Sequence, residues 1–346
     1  MYSHILNQCL FFMVRIFFSC PANDKNMISN CTVGIPKGLL YFNHHIFTES
    51  FFYGLGLNVV VSPDTNKQIL DEGVKSCVDD ACLPVKVFHG HVNWLKTRCD
   101  YLLLPHYLSL EKGRKLCPML CGLVETVKSS IINLPQLIDP PVFSFEGKSL
   151  REWSFRAGRI VSRSTKETDQ AFESAFKKQT GVSHGLCDDG FGYRIALIGH
   201  SYIVHDTFVN MNIIGKLRAL GVGVVTYESV SSQERALESA NLFKPPFWYF
   251  AREYYGSAVS LFKRGAVDGL IYLSTFSCGV DSVFTELIKH DIGTLPYMVL
   301  KLDEHTGEAA LDTRIEAFTD MLKRRMQRGH HFPAHGQHLP CRQSVL

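Results

Sequence analysis

Short apolar runs alternate with amphipathic stretches along most of the chain from Thr32 onward. In the first half, TVGIPKG, LNVVVSP and CDYLLLP are aliphatic or β-branched and contain or end in Gly or Pro, which is typical of buried strands. Between them, LLYFNHHIFTESFFYGLG, DTNKQILDEGV and VKVFHGHVNWLKTR have helical spacing, and GLVETVKSSIIN adds a further helix. Asp64 or Thr65 is expected to cap the second helix. The order β-α-β-α-α-β-α predicts a parallel sheet with helices on its faces.

The second half repeats this order of elements. YRIALIGH, VGVVTYE, VDGLIYLS and LPYMVLKL predict strands, and DTFVNMNIIGKLRALG predicts a helix with Phe208, Met211, Ile214 and Leu217 on one side. LGLNVVVSP corresponds to LGVGVVTYE, and CDYLLLPHYLSLEKGRKLCP to VDGLIYLSTFSCG. We therefore predict an α/β fold of two Rossmann-like (flavodoxin-like) parallel-sheet domains in pseudo-repeat, joined by a helical bridge.

The length of 346 residues suits two domains of about 150 residues each. The predicted division is an extension outside the fold at 1–30, a first domain at 31–148, a helical bridge at 149–185, a second domain at 186–328 and a disordered tail at 329–346. The apolar segment HILNQCLFFMVRIFFSC near the start is interrupted by polar residues and shorter than the roughly 20 residues that a spanning helix needs. We expect no membrane segment and a cytoplasmic location.

Charge and cysteine content narrow the class of protein. The chain has 36 Lys and Arg against 33 Asp and Glu and no basic run with interleaved aromatics before the tail, which argues against nucleic-acid binding. Its 11 cysteines are an odd number spread over long α/β segments, which favours reduced thiols, some of them ligands, over a disulfide framework. Glycine-rich phosphate loops of the G-x-x-x-x-G-K-[ST] and G-x-G-x-x-G kinds are absent, so the chain has no ATP-binding signature of its own.

Cysteines mark the segment SCVDDACLPVKVFHGH, in which Cys77 precedes Cys82 at the start of a helix. A thiolate at a helix start is stabilised by free N–H groups, so the sequence predicts a depressed pKa for Cys82. Cys117 and Cys278 each follow the third strand of their half, where ligands of open α/β sheets bind. We expect these thiols to converge in a cleft between the halves.

Cys82, Cys117 and Cys278 are the predicted metal ligands, with Cys77 as a fourth and Cys121 competing with Cys117. Spacing alone leaves zinc and an iron-sulfur cluster as alternatives. The other cysteines are expected to be small buried hydrophobes; they are Cys9, Cys31, Cys99, Cys187 and Cys341.

Three cationic or imidazole side chains near Cys82 are candidates for cofactor binding: Lys75, Lys86 and His89. They would donate hydrogen bonds to a cluster, bind the phosphates of CoA or deliver protons, and His91 could serve the same roles. The alternative is that these side chains belong to a solvated helix face. The segment GHSYIVHD contains Ser, His and Asp but no G-x-S-x-G elbow, so it is a weak candidate for a catalytic triad.

Four long segments carry a family resemblance: VGIPKGLLYF, VVVSPDTNKQILDEGVKSCVDDACLPVKVFHGHV, GHSYIVHDTFVNMNIIGKLRALGV and LDEHTGEAALDTRIEAFTDML. They resemble the family of uncharacterised proteins related to the activase and dehydratase components of 2-hydroxyacyl-CoA dehydratase (DUF2229), from about Val33 to about Met326. The resemblance implies an anaerobic bacterial origin and an oxygen-sensitive [4Fe-4S] cluster between Rossmann-like domains, held so that one iron is left for substrate or another ligand.

Carried over, the resemblance implies Cys82, Cys117 and Cys278 as cluster ligands, with Cys77 as a fourth. It further implies a separate actin-like ATPase activase or other electron donor as partner, because the ATPase domain that relatives often carry is missing from this chain. An acyl-CoA or another small molecule would be the substrate, and a dimer is left open.

Two other functions remain as alternatives to an iron-sulfur electron-transfer or reductase-like subunit. One is a regulatory module that binds zinc or CoA without redox chemistry. The other is a thiol enzyme with Cys82 as nucleophile, for which the sequence supplies no evident base.

Overall fold

The structure of the protein is a computed structural model, which describes residues 31–111, 113–180, 182 and 185–327. The predicted extension at 1–30 and the tail at 329–346 lie outside the described residues.

The first sheet has four parallel strands, formed where the sequence has its early apolar runs. Its strands are β1 (Thr32–Ile35), β2 (Asn58–Val61), β3 (Tyr101–Leu103) and β5 (Gln136–Ile138), in the order β2-β1-β3-β5. The last of these was not predicted from the sequence, because its three residues are too few to show a period. A small parallel pair, β4 (His106–Tyr107) and β6 (Pro141–Val142), extends beyond the ends of the last two strands.

The second sheet also has four parallel strands: β7 (Tyr193–Gly199), β8 (Val222–Thr226), β9 (Gly269–Thr275) and β10 (Tyr297–Leu302). Their order is β10-β9-β7-β8. In each sheet the second strand along the chain therefore lies at one edge, followed by the first, third and fourth. The predicted α/β class with parallel sheets is confirmed.

Helices connect the strands of both sheets. In the first part of the chain they are α1 (Tyr41–Gly54), α2 (Lys67–Lys75), α3 (Leu83–Leu95), α4 (Pro118–Cys121), α5 (Leu123–Ser130), α6 (Gly147–Ile160) and α7 (Thr165–Thr180). In the second part they are α8 (Ser201–Val204), α9 (Ile213–Ala219), α10 (Ser232–Ala240), α11 (Tyr249–Lys263), α12 (Gly279–Asp291) and α13 (Glu308–Gln327).

The segment expected to bridge the halves consists of α6 and α7. Gln179 of α7 accepts a hydrogen bond from the backbone N–H of Phe47 in α1 and donates one to the carbonyl of Asn43. Next to it, Ala171 packs against Gly54, where a Cβ would lie 3.0 Å from the Ala171 Cβ. These contacts attach α7 to the helix layer of the first sheet.

Two glycines bring α2 and α3 into unusually close contact. A Cβ at Gly73 would lie 1.9 Å from the carbonyl oxygen of Lys86, and one at Gly90 would lie 1.9 Å from that of Ile69. Because no other residue fits there, the packing fixes α3 against α2. The face of α3 that carries Lys86 and His89 is therefore buried.

Two details of the helix predictions are wrong. Asn66 caps α2, because its backbone is extended and its side chain accepts from the N–H of Ile69, whereas Thr65 bonds elsewhere. The predicted helix from Asp206 onward is reduced to α9, because Met211 and Asn212 adopt positive φ angles of 54° and 56°. The four residues expected on one helix face are consequently divided between a turn and a helix.

No helix in the described part of the chain is long and apolar enough to cross a membrane.

Candidate functional site

Three cysteines occupy the same position at the starts of three helices. Cys82 is the N-cap of α3, Cys117 of α4 and Cys278 of α12, and each has an extended backbone. The three sulfurs accept no capping hydrogen bond, but the N–H groups of Val85 in α3 and of Leu120 in α4 act to lower the pKa of Cys82 and Cys117, respectively. The N-cap position thus presents each thiol at the end of a helix that follows a strand or turn.

The predicted depressed pKa of Cys82 is wrong. Burial raises the pKa of Cys82 to about 12, and this effect outweighs the nearby helix N–H groups. Burial likewise raises the pKa of Cys278 to about 12 and that of Cys117 above its ordinary value. All three thiols are therefore protonated at neutral pH unless a cation replaces the protons.

The three thiols lie close enough to influence one another. After burial, charge on Cys117 and on Cys77 raises the pKa of Cys82, and charge on Cys82 contributes to raising that of Cys278. Cys82 and Cys117 come from the first sheet's half and Cys278 from the second. The structure thus brings together thiols from three separate segments.

Their spacing differs from that of a site for one ion. A single tetrahedral zinc ion holds its thiolates about 3.8 Å apart, since Zn–S bonds are about 2.3 Å long. Among the described residues, the set of three or more metal-binding side chains whose ligand atoms all lie within 4.8 Å of one another consists of His200, Cys278 and Asp281. Cys82 and Cys117 stand outside that set, so at least one of the distances between the sulfurs of Cys82, Cys117 and Cys278 exceeds 4.8 Å, which is wider than a single tetrahedral ion allows.

The second half adds a polar group beside Cys278. The Nε2 atom of His200 lies 3.6 Å from Oδ1 of Asp281, and the Nδ1 atom lies 2.9 Å from the Tyr254 hydroxyl. The contact with Tyr254 is a hydrogen bond, whereas the contact with Asp281 is an ion-pair distance. Both His200 and Asp281 are buried.

Hydroxyl donors hold the Asp281 carboxylate in place. Tyr272 donates to Oδ1 at 3.0 Å and Ser274 donates to Oδ2 at 2.8 Å. Burial acts to raise the pKa of Asp281, but His200 and these two hydroxyls together lower it below its ordinary value. The carboxylate is therefore ionised beside the Cys278 thiol, and it adds to the rise in the pKa of that thiol.

Tyr202 follows His200 by two residues and stacks on its ring, with the centroids 4.7 Å apart and the planes 13° from parallel. Its side chain is buried and lies near the thiols, since charges on Cys117, Cys82 and Cys278 each contribute to raising its pKa after the larger effect of burial.

The other predicted and competing cysteines have different surroundings. Cys77 is half-buried near Cys82, and burial raises its pKa while the charge of Lys86 acts in the opposite direction. Cys121 donates to the carbonyl of Leu116 at 3.6 Å, and Cys99 donates to that of Leu95 at 3.3 Å. Cys77, Cys82, Cys99, Cys117, Cys121 and Cys278 are free thiols.

The expectation of reduced thiols does not hold for Cys31 and Cys187, which are disulfide-bonded. Cys31 is buried at the start of β1 and Cys187 is half-buried. Cys9 and Cys341 lie outside the described residues.

The predicted cofactor-binding side chains are divided between surface and interior. Lys75 lies on the exposed surface of α2 and pairs with Glu72 at 3.0 Å. Lys86 is buried and its Nζ lies 2.5 Å from Oε1 of Glu304, which follows β10 of the second sheet. His89 is fully buried, and its Nδ1 atom donates to the Val85 carbonyl at 2.8 Å.

His91 belongs to a buried chain of hydrogen bonds between the halves. Its Nδ1 accepts from the Ser62 hydroxyl at 2.9 Å, and its Nε2 donates to the Thr65 hydroxyl at 3.1 Å. Thr65 in turn donates to Oδ2 of Asp206 at 2.5 Å. These roles suit a neutral imidazole, and burial, followed by the charge of Lys37, lowers the pKa of His91 to about 3.

Sequence reasoning did not select His200, Tyr202 or Asp281 as part of the cysteine site. A signal for them was present, because His200 and Tyr202 directly follow the carboxyl end of β7 and Asp281 lies three residues after Cys278. The rule that selected Cys117 and Cys278 applies equally to the end of that strand.

The fold and the site define an α/β protein with parallel sheets and a set of half-buried thiols contributed by both halves. Within this class, the chain belongs to the family described as CoA enzyme activase uncharacterised domain (DUF2229), which matches residues 32–230. This range covers more than half of the chain and confirms the resemblance found in the sequence. It relates the protein to the activase system of acyl-CoA dehydratases.

Other comparisons add no functional information. No curated protein matches the chain. Among solved structures, glutamate racemase isoform RacE1 from Bacillus anthracis is similar at 11% identity over 86% of this chain and 82% of that one, with a TM-score of 0.21. Tagatose-6-phosphate ketose/aldose isomerase from Escherichia coli is similar at 11% identity over 91% and 87%, with a TM-score of 0.22. At such low scores these similarities support no argument.

Proposed function

We propose that the protein is an iron-sulfur protein of a CoA enzyme activase-related system, acting as a low-potential electron acceptor or reductase subunit. Cys82, Cys117 and Cys278 would hold a [4Fe-4S] cluster, with Cys77 as a fourth candidate ligand and Cys121 as the competitor of Cys117. When bound, the cluster supplies one-electron transfer. The observation that carries the proposal is the convergence of three helix-capping thiols from both halves at a spacing wider than one ion requires.

The donor set fits such a group. Thiolates are the usual ligands of iron-sulfur clusters, and Cys82 and Cys117 pack against the apolar core, which limits access of solvent to their sulfurs. Iron would supply the positive charge that lets buried thiols lose their protons. The remaining residues of the chain would orient these ligands and exclude water.

The halves would act as two Rossmann-like domains in pseudo-repeat, with α6 and α7 as the bridge between them. The equivalent strand orders of the two sheets support this reading. The electron would come from a separate actin-like ATPase activase or another donor, and an acyl-CoA or other small molecule would be the substrate. The family relationship supports a partner of the dehydratase kind.

The direct test is anaerobic reconstitution of the full chain with iron and sulfide, followed by metal and sulfide analysis and electron paramagnetic resonance of the reduced protein. Bound iron and sulfide with a cluster signal would support the proposal. A colourless protein that retains no iron after reconstitution would contradict it. Cys99→Ala is the matched control, because this free thiol bonds to a carbonyl of its own half.

A zinc-binding regulatory module is the second candidate, and one observation favours it. His200, Cys278 and Asp281 offer nitrogen, sulfur and oxygen ligands within 4.8 Å of one another, as a single zinc ion would require. This candidate predicts tight zinc in the isolated protein and its loss in His200→Ala, with Cys82→Ala unchanged. The cluster proposal predicts the opposite dependence on Cys82.

A further inference from the structure

Tyr202 differs from the other buried tyrosines around the site in having no hydrogen bond. The hydroxyl of Tyr254 bonds to His200 at 2.9 Å, that of Tyr272 to Asp281 at 3.0 Å and that of Tyr227 to Asn43 at 3.4 Å. Within the described residues, the Tyr202 hydroxyl has no such partner, although the side chain is only 7% exposed. The hydroxyl is not among the enclosed polar atoms that lack a partner in the described residues, so it reaches accessible space and is available to a group placed there.

Two ring contacts fix the position of the Tyr202 side chain. Tyr202 is held in α8 immediately after β7, stacked on His200 and set edge-to-face against Phe250 at a centroid distance of 6.5 Å. His200 itself lies within 4.8 Å of the Cys278 sulfur. The stacking therefore keeps the tyrosine at the polar side of the thiols.

The surroundings also establish which role the hydroxyl is able to play. Burial first, then negative charge on the neighbouring thiols and on Asp281, keeps the pKa of Tyr202 well above its ordinary value. The phenol thus stays protonated and offers one O–H donor. The groups around it are acceptors: the Asp281 carboxylate, and the cysteine sulfurs once a metal has replaced their protons.

We propose that the Tyr202 hydroxyl donates a hydrogen bond to a sulfur of the cluster held by Cys82, Cys117 and Cys278, and that this bond raises the cluster's reduction potential. The inference rests on the proposed function. A hydrogen bond to a cluster sulfur stabilises the more negative, reduced state, and such bonds are among the factors that set the potentials of these clusters. Tyr202 is then a positioning residue, since no ligand bond to iron is assigned to it.

The test compares Tyr202→Phe with Tyr254→Phe in the full chain after anaerobic reconstitution. Both variants remove one buried hydroxyl, but that of Tyr254 is already bonded to His200. We expect Tyr202→Phe to keep its iron and sulfide while its midpoint potential moves to a more negative value, with a smaller change in Tyr254→Phe. In the reduced wild-type protein, exchange into deuterium oxide should give a deuterium coupling to the cluster that Tyr202→Phe lacks.

The outcomes separate the two proposals. A wild-type protein that binds no iron contradicts the proposed function and this inference with it. A wild-type cluster whose midpoint potential and deuterium coupling are unchanged in Tyr202→Phe contradicts this inference alone. Loss of iron in Tyr202→Phe, with unfolding unaltered, also overturns it, because the residue would then hold the cluster rather than adjust its potential.

Discussion

The two halves of the molecule contribute unlike surroundings to one set of thiols. In the first half, Cys82 and Cys117 begin helices that carry Pro in their first turn, and no carboxylate of that half takes part among the described residues. In the second half, Cys278 is followed three residues later by the ionised Asp281, with His200 beside it. From this difference we infer that the first half mainly supplies thiol ligands to the bound group, whereas the second half also sets the charge around that group.

The largest expected effect comes from removing one thiol on either side. Cys82→Ala and Cys278→Ala should each lose most of the bound iron and sulfide after reconstitution, because neither half completes the site alone. Cys99→Ala, which changes a free thiol in the first half, should retain wild-type iron. Colorimetric iron and sulfide analysis measures this, and full iron retention in Cys82→Ala would remove the first half from the site.

The ion pair between the halves is the next target. Lys86→Met leaves Glu304 without its partner, and breaking a buried pair in this way costs about 3–5 kcal/mol of the free energy of unfolding, the lower end being expected here because Glu304 is partly exposed. Lys75→Met breaks an exposed pair with Glu72 and should change the free energy of unfolding by less than about 1 kcal/mol. Urea unfolding compares the two variants. Equal effects would show that the contact between halves contributes little.

The burial of His91 between the halves should make the stability of the fold depend on pH. Its pKa is about 3 in the fold against 6.5 as an ordinary value, so below pH 6.5 the unfolded chain takes up a proton that the fold excludes. The stabilisation is complete above pH 6.5 and falls by about 1.4 kcal/mol per pH unit as the pH drops toward 3.

The measurement is urea unfolding of the wild type and of His91→Gln at pH 7.5 and pH 5. The variant should lose much of the pH dependence, although His89, whose pKa is also lowered by burial, will keep part of it. His290→Gln is the control, because that imidazole is exposed. A variant with the full wild-type slope would show that His91 does not remain neutral in the fold.

A smaller effect tests the charge that distinguishes the second half. Asp281 adds to the rise in the pKa of Cys278 after burial, so Asp281→Asn should increase the thiolate fraction of that cysteine in the metal-free protein. Each unit by which the pKa falls increases the thiolate fraction about tenfold. Iodoacetamide labelling at pH 8 with mass spectrometry follows Cys278, and the free thiol of Cys121 in the same sample serves as the internal control, because Asp281 is not among the groups that shift its pKa. An unchanged labelling rate of Cys278 would argue that the carboxylate does not set the charge at this thiol.

The smallest expected effect concerns helix caps in the two halves. Asn66 caps α2 in the first half, and Ser231 forms a capping box with Glu234 at α10 in the second. Asn66→Ala and Ser231→Ala should each lower the free energy of unfolding by about 1 kcal/mol. Thermal unfolding checks both. A much larger loss for Asn66→Ala would indicate that α2 also supports the first-half thiols through its close packing on α3.

Most elements could be predicted from the sequence because they depend on local periodicity. The apolar runs ending in Gly or Pro become the strands, and the class of fold follows from their alternation with helices. The exceptions are a strand with few residues and a turn within a stretch of helix-favouring composition. The strand Gln136–Ile138 has too few residues to show a period, and the turn at Met211 and Asn212 interrupts a stretch whose composition favours a helix.

For the site, the sequence by itself determined which cysteines follow strands and begin helices, since the N-cap position and the succession of elements along the chain are local properties. Only the tertiary structure decided the rest. Burial, which depends on the whole fold, reversed the pKa predicted for Cys82 and enclosed Lys86 and His89. The tertiary structure also placed Asp281 and Tyr202 beside the thiols of Cys82 and Cys117, because residues far apart in the chain meet only once the chain has folded.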